Sequence, residues 1–239
     1  MPIFRLTGKI SFPPPRFAEP SGLLAIGGDL GEKRLLEAYK KGIFPWYAEG
    51  DPILWWSPDP RMVLYPSDIK ISKRLQRIIK KGVFDITSDT AFEQVIFECA
   101  RVRTEKNEET WLTREMIDAY CRLFSLGYAH SVEAWKDGKL AGGLYGVSIG
   151  STFFGESMFT RVSNASKVAL SVLCDFLSCL SFDMIDCQVA TAHLRSLGAV
   201  EIPRRRFLEK LSRSVQKPTI RGKWDIGTCV RNQRLCAVK

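Results

Sequence analysis

Residues 129–180 read AHSVEAWKDGKLAGGLYGVSIGSTFFGESMFTRVSNASKVALSVLCDFLSCL, and the fold turns on how this run is cut. From His130 to Lys136 the side chains follow the two-residue period of a strand. Asp137-Gly138 is the dipeptide of a tight hairpin, because both central positions of a type I′ turn need φ above zero. Lys139 to Ile149 reads as the second strand, Gly150-Ser151 as another turn, and Thr152 to Phe159 as the third strand. Past Ser163 or Asn164, either of which can cap a helix, the period changes to 3.6. Val168, Ala169, Val172, Leu173, Phe176, Leu177 and Leu180 then fall on one stripe. The run is a three-stranded antiparallel meander feeding a long buried helix.

Downstream, Ser181 to Val189 reads as a strand centred on MIDCQV, followed by a short helix from Ala192 to Leu197, a stop at Gly198 and one more strand. Upstream, the spacing predicts a strand at Phe84–Ser88, a helix at 90–100, a charged loop RVRTEKNEE, and a helix opened by Thr113 with Met116, Ile117, Tyr120, Leu123 and Phe124 inward. Ile71, Leu75 and Ile78 mark an amphipathic helix over 69–81. Its other face carries Lys70, Lys73, Arg74, Arg77, Lys80 and Lys81, with no acid among them. Residues 1–62 are rich in Pro, Gly and Trp, with one helix at Glu32–Lys41, and predict a small irregular N-terminal domain. The expected architecture is α/β (α+β): that small domain, a larger domain at 63–215 with a mixed, mostly antiparallel sheet, and a basic tail at 216–239. The order of elements after Pro66 resembles the N-acetyltransferase-like fold. Fold alone does not fix function.

The 239 residues carry a net charge of +9. Glu201 to Lys239 holds 11 Lys/Arg against 3 Asp/Glu, so +8 of the total sits in the last segment. A basic surface of this kind suits a polyanion, bound by counterion release. The opening MPIFRLTGKI lacks the apolar core of a signal peptide. The longest uncharged run, Leu140 to Gly155, contains five glycines and is too short to span a bilayer, so no membrane partner is expected. Seven cysteines with no C-x-x-C pair read as reduced thiols in a cytoplasmic protein. Two histidines, His130 and His193, exclude a His-rich metal site.

Few residues suggest chemistry one at a time. GGLYG lies inside a strand run rather than between strand and helix, so close packing explains it better than a phosphate loop. Where an acetyltransferase would carry its acyl-CoA loop, Ser163, Asn164 and Ala165 stand instead. Asp186 and Gln188 alternate on an apolar strand and are expected on one face, with Ile185 and Cys187 on the other. A carboxylate and an amide there need partners, since an unpaired buried polar group costs about 1–3 kcal/mol. Glu156 is a similar lone acid in TFFGESMF. The turn-rich tryptophans Trp46, Trp55, Trp56 and Trp111 could line a groove on which a base stacks.

At these residues the sequence closely resembles the leucyl/phenylalanyl-tRNA–protein transferase family. The segments that carry the resemblance run in order from about 20 to 210: GLLAIGGDL (22–30), AYKKGIFPWY (38–47), ILWWSPDPR (53–61), TWLTREM (110–116), AHSVEAW (129–135), GGLYG (142–146), GESMFTR (155–161), NASKVAL (164–170), IDCQV (185–189) and SLGAVEIPRRRF (196–207). The resemblance implies an N-acetyltransferase-like catalytic domain, transfer of Leu or Phe and less readily Met from aminoacyl-tRNA to proteins beginning with Arg or Lys, a degradation signal as product, and no metal or organic cofactor; a monomer is expected, though no residue pattern decides the oligomeric state. It implies Trp46 and Trp111 at the terminal adenosine, and Phe153, Glu156, Leu144, Leu170, Leu177 and Ile185 in the walls of the aminoacyl pocket. It further implies Asp186 and Gln188 as the catalytic pair. Thr191 stands where the family often has Asn. For tRNA phosphates the basic residues of 70–81 are expected, together with Arg204 to Arg206, including Arg205. The alternatives are an acyl-CoA-dependent N-acyltransferase, which acetyl-CoA would stabilise, and a non-catalytic tRNA-binding module.

Overall fold

Turn chemistry sets the frame. Asp137 and Gly138 both have φ above zero (51° and 72°), as the hairpin requires. The computed structural model describes residues 3–105 and 111–227. Residues 106–109 of the expected charged loop, Cys229, Cys236 and the end of the basic tail lie outside the described residues.

The N-terminal part forms β1 (Phe4–Leu6), β2 (Leu23–Gly27), α1 (Glu32–Lys40), β3 (Phe44–Pro45) and β4 (Leu54–Trp56), with the strands in a small sheet of order β1-β2-β4-β3. Next come β5 (Arg61–Leu64), α2 (Lys73–Lys80), β6 (Asp85–Ser88), α3 (Phe92–Glu105) and α4 (Arg114–Ser125). The quoted run supplies β7 (Ala129–Lys136), β8 (Lys139–Ile149), β9 (Thr152–Thr160) and α5 (Ala165–Cys179). Then follow β10 (Met184–Gln188), α6 (Ala192–Ser196), β11 (Val200–Ile202) and α7 (Arg204–Ser214). The large sheet has the order β11-β5-β10-β9-β8-β7-β6. All its ladders are antiparallel except β9–β10. The fold is thus mixed α/β, with a small N-terminal region and a mixed, mostly antiparallel C-terminal sheet, as expected. Strand β5 starts at Arg61 and already belongs to the large sheet.

Alternation along the strands builds two cores. Tyr145, Val147, Phe154, Met184 and Val63 face one cluster together with α3, α4 and the N-terminal elements. Leu144, Phe153, Ile185, Met62 and Leu64 face the other with α5. Two glycines of GGLYG serve these contacts. A Cβ on Gly142 would come within 2.6 Å of the Ala165 Cβ, where α5 crosses the sheet. A Cβ on Gly146 would come within 2.2 Å of the Phe154 carbonyl oxygen, at a register shift between β8 and β9. Close packing, not phosphate binding, uses this motif.

Several expectations are corrected. The basic helix begins at Lys73 rather than at 69, capped by the Ser72 side chain, which accepts from the Leu75 amide. Helix α3 runs on to Glu105, so the first part of RVRTEKNEE is helical. Asn164 precedes α5 in a left-handed conformation (φ 73°) without a side-chain cap bond. The strand expected over 181–189 is only Met184–Gln188. Helix α7 was not foreseen, because the charge of PRRRFLEKLSR masked its short apolar stripe of Phe207 and Leu211, both buried. Finally, the segment expected as a basic tail from 216 packs at first onto the fold: Trp224 and Ile226 are buried in the core cluster that includes α5.

Candidate active site

Strands β9 and β10 pair in parallel over only three residues, Met184↔Thr152, Ile185↔Phe153 and Asp186↔Phe154. Beyond that point they part. A bulge follows, marked by a register shift against β5 and by φ of +62° at Gln188. The gap opens into a pocket of about 650 Å³. Its apolar walls are Leu144, Phe153, Met158, Leu170, Leu173 and Ile185, and its rim carries Phe44, Trp46, Trp111, Val189, Thr191 and His193. A mostly apolar cavity with few converging polar groups is the usual form of a small-ligand site.

The polar groups form one chain. Gln188 Nε2 donates to Glu156 Oε1 at 2.8 Å, and Tyr120 OH donates to Glu156 Oε2 at 2.7 Å. Tyr39, brought in by α1, lies 2.6 Å from the Tyr120 hydroxyl. Because Nε2 is committed to Glu156, the carbonyl end of the Gln188 amide is the part left to accept a bond from a ligand. Burial pushes the Glu156 carboxyl up to about 7, and the Asp186 charge adds to it; the bonds from Tyr120, Tyr39 and Gln188 oppose this. Both tyrosine hydroxyls are pushed well up by burial and by the Glu156 charge, and stay protonated.

Asp186 sits behind this chain, fully buried. Arg61 donates to it twice, Nε to Oδ1 at 2.8 Å and Nη2 to Oδ2 at 2.7 Å. The guanidinium lies between the rings of Phe44 and Phe207, at 4.9 and 4.7 Å. Asp186 Oδ1 also accepts from the Gln188 backbone amide at 3.0 Å, which holds the bulge. The expectation that Asp186 and Gln188 share one face with Cys187 opposite is therefore corrected: the bulge lets both Cys187 and Gln188 line the pocket, while Asp186 does not. The Cys187 thiol is pushed far up by burial and by Asp186, so it stays protonated and is no nucleophile.

A family model described as leucyl/phenylalanyl-tRNA protein transferase matches residues 63–212, and one described as the N-terminal domain of that transferase matches residues 28–59. The chain belongs to this family. Proteins named leucyl/phenylalanyl-tRNA–protein transferase are similar to it nearly end to end. The one from Syntrophobacter fumaroxidans is 56% identical over 96% of this chain and 98% of its own length. That from Desulfatibacillum aliphaticivorans is 54% identical over 95% and 97%. Among solved structures, L-PGS from Bacillus licheniformis covers 90% of this chain and 74% of its own at 11% identity and a TM-score of 0.35, a likeness too slight to bear on the site. The chain is accordingly an aminoacyltransferase of the leucyl/phenylalanyl-tRNA–protein transferase family.

Of the residues the resemblance singles out, the structure brings Trp46, Trp111, Leu144, Phe153, Glu156, Leu170, Ile185, Gln188 and Thr191 around one cavity. Leu177 is not among them: it is wholly buried, and Leu173, one turn earlier on α5, lines the pocket instead. Thr191 caps α6, accepting from the Leu194 amide at 3.2 Å. Lys70, Lys73, Arg74, Arg77, Lys80 and Lys81 are all exposed. The Lys70 amide donates to the Leu197 carbonyl at 2.8 Å, tying this basic stretch to the end of α6, whose His193 and Leu194 lie at the pocket. Arg204 is half-buried and bonded to the Ser57 carbonyl and, through its amide, to Asp59, so it braces a loop. Arg205 is exposed, with Glu209 at 3.7 Å. Sequence reasoning missed Arg61, Tyr39 and Tyr120. Arg61 closes the quoted ILWWSPDPR segment and Tyr120 had only a packing role in its helix, so neither carried a local sign of its partner. Among the described residues no three His, Cys, Asp or Glu side chains group as a metal site would need. No helix there is long and apolar enough to cross a membrane.

Proposed function

We propose that this enzyme moves Leu or Phe, and less readily Met, from aminoacyl-tRNA to the α-amine of proteins beginning with Arg or Lys, as a cytoplasmic monomer whose product is a degradation signal. One observation carries the reading: a cavity whose apolar walls end on a hydrogen-bonded polar pair, Gln188 held by Glu156, beneath the exposed Trp46 and half-buried Trp111. The apolar walls suit an unbranched-β or aromatic side chain, and the tryptophans suit a terminal adenosine. Exclusion of Ile and Val by shape in such a pocket is worth about 1–3 kcal/mol each.

The ester is already activated, so much of the barrier yields to positioning of amine against carbonyl. The neutral amine donates to the Gln188 carbonyl oxygen and its lone pair attacks the ester carbon. The C–N bond forms, the bond to the ribose oxygen breaks, and the amine's proton passes to that leaving oxygen. No covalent enzyme intermediate is formed. Glu156 orients the Gln188 amide; Asp186 is a positioning residue, fixing the bulge through the Gln188 backbone. Glu156 is the one acid among the pocket-lining residues, and supports a preference for a cationic acceptor. The exposed cations of 70–81, and Arg205 and Arg206 beyond them, meet tRNA phosphates without reading sequence.

The test is one incubation of purified protein with radiolabelled Leu-tRNA and a peptide beginning with Arg beside one beginning with Ala. Label is expected only in the first; label in neither, or stabilisation by acetyl-CoA, overturns the reading.

A further inference from the structure

The segment after 215 lies beyond the stretch 63–212 matched by the family model, yet it is bolted into the fold. Thr219 Oγ1 accepts from the Gly150 amide at 2.9 Å. The Trp224 amide donates to Asp89 Oδ2 at 2.8 Å, and its carbonyl accepts from Ser88 Oγ at 2.6 Å. The Ile226 amide donates to the same Ser88 oxygen at 3.2 Å. These bonds deliver the Trp224 indole to one place. It stacks on His130 at 3.7 Å with the rings 8° from parallel, while His130 Nδ1 lies 2.8 Å from the same Asp89 oxygen. Around it stand Phe176 at 5.2 Å and Phe153 at 5.9 Å.

Phe153 is a wall of the aminoacyl pocket. Its ring also presses on bare backbone: a Cβ on Gly146 would come within 2.6 Å of two of its ring carbons. Phe176 belongs to α5, the helix that supplies Leu170 and Leu173 to the same pocket. A ring that touches both glycine backbone and a pinned indole has little room to retreat, because protein interiors are close-packed.

We propose that Trp224 is a specificity-determining residue: from outside the pocket it pins the Phe153 wall, and so sets how large an aminoacyl side chain the cavity takes. The inference rests on the aminoacyl-transfer reading above. Loss of the indole lets Phe153 swing back and deepens the pocket. The larger side chain then gains at the expense of the smaller.

The measurement is kcat/KM for Phe-tRNA and Leu-tRNA, with the same Arg-initiated peptide, on full-length wild type, Trp224→Ala, Trp224→Leu and Trp224→Phe. The ratio Phe over Leu is expected to rise about tenfold in Trp224→Ala, the effect of roughly one methylene of pocket space. It rises less in Trp224→Leu and least in Trp224→Phe. The two milder variants keep the question open to measurement should the alanine variant fail to fold. Leu24→Ala, which empties a buried position of the N-terminal sheet, is the control: it lowers Tm but leaves the ratio alone. A ratio equal to wild type in every folded Trp224 variant, or an equal change in Leu24→Ala, overturns the proposal. A wild type that transfers neither amino acid sinks the functional reading itself, and is thereby told apart.

Discussion

At the scale of single residues, Glu156 is the group whose charge matters most. Its folded pKa of about 7 stands above the usual 4.5, so the native state keeps a proton that the unfolded chain has lost. Stability is accordingly full below the unfolded value and falls as pH rises from 4.5 to 7, by about 3 kcal/mol if the whole shift is realised. Denaturant titrations at pH 5 and pH 8 should show this fall, and Glu156→Gln should remove it. The ionised carboxylate also accepts from Tyr120 and Gln188 together, the state that locks the amide. kcat/KM should therefore rise through pH 7 on top of the acceptor amine's own ionisation, and Glu156→Gln should erase only the first step. The two members of the expected catalytic pair separate here. Gln188→Ala removes the group proposed to meet the amine, and is expected to lower kcat about 100-fold. Asp186→Ala leaves the Arg61 guanidinium buried and unpaired, which costs about 3–5 kcal/mol and should appear as a Tm drop of roughly 10 °C together with lost activity. If Asp186→Ala melted like wild type, the structural role given to it would be wrong.

Among elements, α2 and α7 carry separable tasks. α2 buries only Leu75 and presents its cations outward, so its charge is free for a polyanion. Arg74→Glu with Arg77→Glu should weaken binding of every charged tRNA alike and lower the slope of log K against log salt by about one per lost phosphate contact. Filter binding across a salt series reads both. The buried face of α7, away from the exposed Arg205 and Arg206, is instead a brace. Its Phe207 ring packs on the Arg61 guanidinium and against Gly42, where a Cβ would come within 2.7 Å of that ring. Phe207→Ala should cost about 3–5 kcal/mol by calorimetry, with no change in tRNA affinity. The bulged end of β10 has the opposite character. It ends pairing early, so a pocket opens where a regular strand would have closed the sheet.

For the molecule as a whole, the N-terminal elements and the large sheet share one apolar cluster, in which Leu24, Leu35 and Tyr39 meet Tyr120, Tyr145 and Phe154. A single calorimetric transition is expected; two resolved peaks would show the parts melting independently. Much of this was legible in the sequence, because turn chemistry and side-chain period are local. The Asp137-Gly138 hairpin, the meander of β7 to β9, the buried stripe of α5 and the Thr113 cap each depend on a handful of neighbouring residues. The colinear motifs likewise identified the family and most pocket residues. What the sequence could not determine is who faces whom. Tyr39 from α1, Tyr120 from α4, Glu156 from β9 and Gln188 from β10 become one hydrogen-bonded chain only when four distant elements pack. The alternation rule put Asp186 beside Gln188 because it assumes a regular strand, and the bulge after Asp186 breaks that regularity. Tertiary packing chose Leu173 over Leu177 for the pocket and sent Trp224 inward. Both choices reflect the same physics: buried polar and aromatic groups settle where partners from other elements satisfy them, and no local pattern records that.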